Sequence, residues 1–105
     1  RRRLAADAQT LLIAGSHLTY PSPLRSGALH VRAEFQSACT VRAYLHTLEG
    51  EAVIGSEAIV VPSAGPHEVL LDVGDLASGM YLCRLVAQRE GSAPETSVVA
   101  VAVAR

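Results

Sequence analysis

Apolar and polar residues alternate with a period of two along most of this chain. Leu29, Val31, Ala33 and Phe35 alternate with His30, Arg32, Glu34 and Gln36, and Cys39, Val41, Ala43 and Leu45 alternate with Thr40, Arg42, Tyr44 and His46. That period is the signature of strands with one buried and one wet face. It recurs at Val69, Leu71 and Val73, and again at Tyr81, Cys83 and Leu85. Residues 53–61 are apolar around Gly55-Ser56, which predicts two short strands or one strand broken by a bulge. Pro21 and Pro23 forbid a helix over Leu18–Leu24 and favour an extended edge. A last strand spans Ser97–Ala104. Turn residues cluster at Glu49–Glu51, Pro62–Pro66, Leu76–Gly79 and Arg89–Glu95.

About seven short strands, with turn signals every roughly 8–12 residues, predict an all-β fold built as an antiparallel β-sandwich. No helix-length segment lies between the strands, which argues against a parallel sheet with crossover helices. The sandwich occupies residues 17–105. Residues 1–16 precede it as a short N-terminal helix or an extended arm, since Leu4, Ala8, Leu11 and Leu12 approximate one helical face.

The final strand departs from the alternation. Val99, Val101 and Val103 can face the core, but the opposite face is Val98, Ala100, Ala102 and Ala104, without a charge. A strand wet on one face should carry polar residues there. The expectation is that this face is covered, by the N-terminal segment through Leu4, Leu11, Leu12 and Ile13, by a partner protein, or by a membrane surface. An exposed alanine-rich strand is the alternative, and it would be an unguarded edge.

Composition narrows the function. Nine basic residues against ten acidic ones leave a net charge of −1, which offers nothing to nucleic acid. All nine are Arg, a bias expected of a GC-rich bacterial genome. No apolar run reaches the roughly 20 residues of a membrane-spanning helix. The chain opens Arg1-Arg2-Arg3, the expected start of a processed product or a piece of a longer protein, and Asp7 and Gln9 spoil residues 1–14 as a signal peptide.

Three segments carry a family resemblance. Tyr20-Pro21-Ser22-Pro23-Leu24 resembles a "YPNPF" opening, Val41-Arg42-Ala43 through Val53 resembles "VRVxVYDLxGRxV", and Asp75-Leu76-Ala77-Ser78-Gly79-Met80-Tyr81-Leu82-Cys83-Arg84-Leu85 resembles "DLASGVYFVRL". In this order they look like the Ig-like C-terminal domains of bacterial secreted proteins, among them the type A sorting domain of type IX secretion and the Ig-like domain of the flagellar hook-capping protein. The resemblance covers residues 19–104 and implies an Ig-like or fibronectin-III-like sandwich, an extracytoplasmic location (periplasm, envelope or secreted), and no catalytic residues. The tail Ser97–Arg105 lacks the Lys-rich ending of sorting domains. The fold therefore carries over further than the sorting role.

Candidate chemistry is sparse. Cys39 and Cys83 both fall on inward positions, each early in its strand. In antiparallel neighbours that places them at opposite ends, beyond the roughly 7 Å limit for bridged Cα atoms, so two buried thiols are expected. His17, His30, His46 and His67 show no metal-ligand spacing, and His30 and His46 fall on wet faces. Asp72-Val73-Gly74-Asp75 reads as a solvated turn. No phosphate-binding loop, dinucleotide fingerprint or nucleophile elbow occurs, so no cofactor is implied. Tyr81 stands where a tyrosine corner would place a hydroxyl on nearby backbone, with an ordinary core tyrosine as the alternative. The resulting expectation is a non-catalytic module that docks onto a larger envelope assembly of other protein subunits. It uses Leu4, Leu11, Leu12, Ile13, Val98, Ala100, Ala102 and Ala104, with peripheral membrane association as a further option. A C-terminal sorting or anchoring domain and a carbohydrate-binding sandwich are the alternatives. The last would have only Tyr20 and Tyr44 as platforms.

Overall fold

Eight strands follow one another in the computed structural model, which describes residues 11–104 apart from Ser22, Ser26 and Asp75. They are β1 (Leu18–Tyr20), β2 (Ala28–Phe35), β3 (Cys39–His46), β4 (Ala52–Gly55), β5 (Ile59–Val61), β6 (Gly65–Asp72), β7 (Gly79–Gln88) and β8 (Glu95–Val103). The described residues contain no helix. One antiparallel sheet has the order β1-β2-β6, and the other has the order β4-β3-β7-β8, with β5 also on β3. The inward residues of both sheets form one core, including Leu29, Val31, Phe35 and Leu71 from the first sheet and Val41, Leu45, Cys83 and Leu85 from the second. Two sheets enclosing one core make an all-β, sandwich-type architecture.

The interrupted stretch at 53–61 is one edge made of two short strands. Tyr44 and Leu45 face Gly55 and Ile54 of β4, while Cys39 and Val41 face Val61 and Ile59 of β5. Ser56 sits between them and completes the ladder. Its N–H donates to the Ala43 carbonyl at 2.8 Å, and the Ala43 N–H donates to its hydroxyl at 2.9 Å. The turn expected over Pro62–Pro66 is shorter than its composition suggests, because Gly65 and Pro66 begin β6 opposite Phe35 and Glu34. Only β2 flanks β6, so an edge position accommodates a proline that lacks an N–H. Tyr81 makes the expected corner: its hydroxyl donates to the Ala77 carbonyl at 2.7 Å.

The leading segment is extended where it is described, over residues 11–14, and does not continue a helix there. The Ile13 N–H donates to the Glu34 carbonyl and the Gln36 N–H to the Leu11 carbonyl, so the segment runs antiparallel to the end of β2. Leu11 is fully buried and Leu12 nearly so. Past β1 the chain crosses to the other sheet. There Leu24, also fully buried, pairs in parallel with Val103, donating to the Ala102 carbonyl and accepting from the Ala104 N–H, both at 2.8 Å. The segment therefore closes the open side of the sandwich between β2 and β8.

This placement predicts that Leu11→Ala costs about 2–5 kcal/mol of unfolding free energy, as for any well-packed core leucine. Urea denaturation would measure it as a fall in midpoint at unchanged slope. A loss of about 0.5 kcal/mol or less, as at an exposed position, would contradict the packing.

Candidate interaction face

Strand alternation turns Thr40, Arg42, Tyr44 and His46 of β3 away from the core, together with Met80, Leu82, Arg84, Val86 and Gln88 of β7 and Thr96, Val98, Ala100 and Ala102 of β8. The registers align these residues in cross-strand rows, Arg42–Val86–Thr96, Tyr44–Arg84–Val98 and His46–Leu82–Ala100. This outer face contains two arginines and a histidine but no carboxylate. Val98 is 51% exposed and Met80 49%; Ala100 is also exposed, whereas Leu82 and Val86 are half-buried.

A small constellation organises its centre. The Tyr44 ring lies over Gly55, where an added Cβ would stand 3.1 Å from Cδ1 of the ring, so the glycine makes room for the aromatic. The Arg84 guanidinium rests on the other side of the row, its Cζ 5.1 Å from the Tyr44 ring centroid, within cation–π range. The His46 ring is 6.1 Å from Tyr44, and its Nδ1 is 3.4 Å from the Gly50 carbonyl oxygen in the β3–β4 turn. His46, Gly50, Leu82, Arg84 and Val98 line a shallow, open concavity of about 410 Å³. Nε2 of His46 and Nε of Arg84 are buried without a hydrogen-bond partner.

The residues expected to bind a partner have divided fates. Val98 and Ala100 lie on this face and are exposed, while Ala102 and Ala104 are half-buried beside Leu24. Leu11 and Leu12 are core residues and offer no surface. The described part of the arm closes the side of the sandwich and leaves the outer face of β8 uncovered. Ile13 is 39% exposed at the opposite edge, and Leu4 lies outside the described residues. Sequence reasoning missed Met80, Leu82, Arg84, Tyr44 and His46. Their signal was present as the absence of any acid at the even positions of three adjacent strands.

The outer face of the three-stranded sheet differs in kind. It mixes His30, Arg32, Glu34, Glu68 and Asp72. The Tyr20 hydroxyl donates to one Glu68 oxygen and His30 Nδ1 meets the other, and the Tyr20 and His30 rings stack at 4.6 Å. The bond from His30, then the one from Tyr20, holds the Glu68 carboxyl below its usual range, and the bond to Glu68 raises the Tyr20 phenol. The cluster satisfies itself and ties β1, β2 and β6 together. In the turn after β6, Asp72 Oδ1 accepts from the Gly74 N–H at 3.0 Å; Asp75 lies outside the described residues. Among the described residues no three His, Cys, Asp or Glu side chains gather as a metal site, and no helix is long and apolar enough to cross a membrane.

Inside the sandwich, His17 is buried and its Nδ1 is 2.9 Å from the Ser97 hydroxyl. Burial lowers its pKa. Both cysteines are free and buried. Cys83 faces Leu45 across β3–β7, six residues from Cys39, a separation of about 20 Å that no disulfide spans. Burial pushes the Cys83 thiol up to about 12 and raises Cys39, to which the charge of Glu95 adds. Neither is an activated nucleophile. Compared with protein-family models and with curated proteins, the chain has no match.

Two predictions follow from these buried groups. With its folded pKa below the unfolded value of 6.5, His17 resists a proton that the unfolded chain accepts. Stability is therefore undiminished above about pH 6.5 and falls as the pH drops below it. The Glu68 contribution is lost only below that group's unfolded value of 4.5. Urea midpoints measured between pH 7.5 and 5 should decline, and His17→Asn should flatten the decline; an equal slope in the variant would refute the assignment. Second, unreduced native protein should react slowly with a thiol reagent and show two reactive thiols once unfolded. Finding none would mean a bridge.

Proposed function

We propose that this chain is a non-catalytic, Ig-like or fibronectin-III-like domain that docks onto a larger cell-envelope or membrane-associated protein assembly, using the outer face of β3, β7 and β8. The observation that carries the reading is the uncharged, partly exposed surface of Met80, Val98 and Ala100 on a face without a carboxylate. Large exposed apolar patches mark interaction sites. The Ig-like reading is supported by the order β1-β2-β6 against β4-β3-β7-β8 and by the Tyr81 corner. The extracytoplasmic location rests on the resemblance of residues 19–104 to domains of secreted bacterial proteins.

That resemblance also supports a second reading, a C-terminal sorting or anchoring domain of a longer secreted protein, through the segment Asp75–Leu85. Carbohydrate binding is less favoured. Tyr20 is stacked on His30 and bonded to Glu68, and Tyr44 is overlaid by Arg84, so neither offers a bare ring as a sugar platform.

Removing apolar surface without changing charge tests the docking role. The pair Met80→Gln and Val98→Asn should abolish stoichiometric co-purification from detergent-solubilised bacterial envelope while the domain stays folded. Leu70→Asn, at an exposed position on the other sheet, should leave it intact. Equal recovery in all three proteins would remove the face from the function.

A further inference from the structure

We infer that the concavity at His46, Leu82, Arg84 and Val98 receives an acidic side chain from an extended, otherwise apolar partner segment; this rests on the docking reading above and names the partner's chemistry. Three observations converge. The Arg84 Cζ stands over the Tyr44 ring, 5.1 Å from its centroid, which restrains the guanidinium, and its planar fork of donors matches a carboxylate bidentately. Its Nε has no acceptor within the described residues, and Nε2 of His46, which also lines the concavity, has no partner there either. Glu49 and Glu51 flank Gly50 in the β3–β4 turn, but no ion pair joins a described carboxylate to Arg84 or His46. The outward positions of β3, β7 and β8 hold Arg42, Arg84 and His46 and no acid, and the one ion pair found among the described residues, His30–Glu68, belongs to the other sheet. Leu82 and Val98 form apolar walls. A ligand that matches them pairs one carboxylate with flanking aliphatic side chains, and partial desolvation by those side chains strengthens the ionic bond.

The test uses the full chain and three synthetic peptides. They are acetyl-Val-Glu-Val-Glu-Val-amide, its Gln-for-Glu counterpart with both ends capped, and the Gln peptide with a free terminal carboxylate. The Glu peptide should shift the Arg84 Nε–Hε and His46 ring resonances and bind at least tenfold more tightly than the capped Gln peptide, less so at high salt. Arg84→Gln should lose that tenfold difference while retaining the fold, and Arg84→Lys should recover only part of it. Equal binding of both capped peptides, or shifts confined to the other sheet, would overturn the inference. Binding of the free-terminus peptide alone would overturn the side-chain source. If Arg84→Gln still co-purifies with envelope partners and Met80→Gln with Val98→Asn does not, docking survives and the carboxylate does not. If neither variant loses partners, docking itself falls.

Discussion

The structure depends on how the leading segment supplies what β8 lacks. The inward positions of β8 begin with Glu95 and Ser97, and only then become Val99, Val101 and Val103. A carboxylate and a hydroxyl at the rim of an apolar core need partners. The segment provides them: the N–H groups of Leu11 and Leu12 donate to the Glu95 carboxylate at 2.7 and 3.0 Å, and His17 meets Ser97. In the same pass Leu11 and Leu24 fill the core between the sheets. The bonds to a charged acceptor set the segment's register on β8, and the leucines supply the buried area. Without this wall the two sheets would share a core open on one side.

That closure separates the molecule's two outer faces. On the three-stranded sheet, acids and bases interleave, and Glu68 holds both Tyr20 and His30. On the five-stranded sheet, acids are missing and the apolar residues of β7 and β8 meet water. The chain as a whole is nearly neutral, so this asymmetry is one of distribution and leaves no trace in net charge. A surface whose arginines lack internal partners is suited to an electrostatically complementary neighbour, which confers specificity more than affinity. The same surface is a hazard when unoccupied, because β8 is the last strand of its sheet and only the short Leu24 bridge lies beyond it.

The free cysteines fit this division. Both contribute to the core as small apolar side chains, a common role for a buried thiol. The stability of the domain therefore rests on packing and on the Glu95 and Ser97 contacts, without a covalent staple, as its length permits.

The period-two pattern was enough to identify β2, β3 and β7, the inward side of each, the broken edge at 53–61 and the distance between the cysteines. Those features depend on local backbone geometry, which sends successive side chains to opposite sides of a strand. For Tyr81 the sequence left a corner and an ordinary core tyrosine open, and its hydroxyl bonds the Ala77 carbonyl. Alternation says whether a residue points in or out but not which strand lies beside it. So it could not reveal that Pro66 sits on an edge, that Gly55 clears space for Tyr44, or that Arg84 crosses that ring. Nor could it assign Leu11 and Leu12. Their apolar character suited a docking surface and a core equally, and only the position of Glu95, 84 residues further along the chain from Leu11, drew them inside.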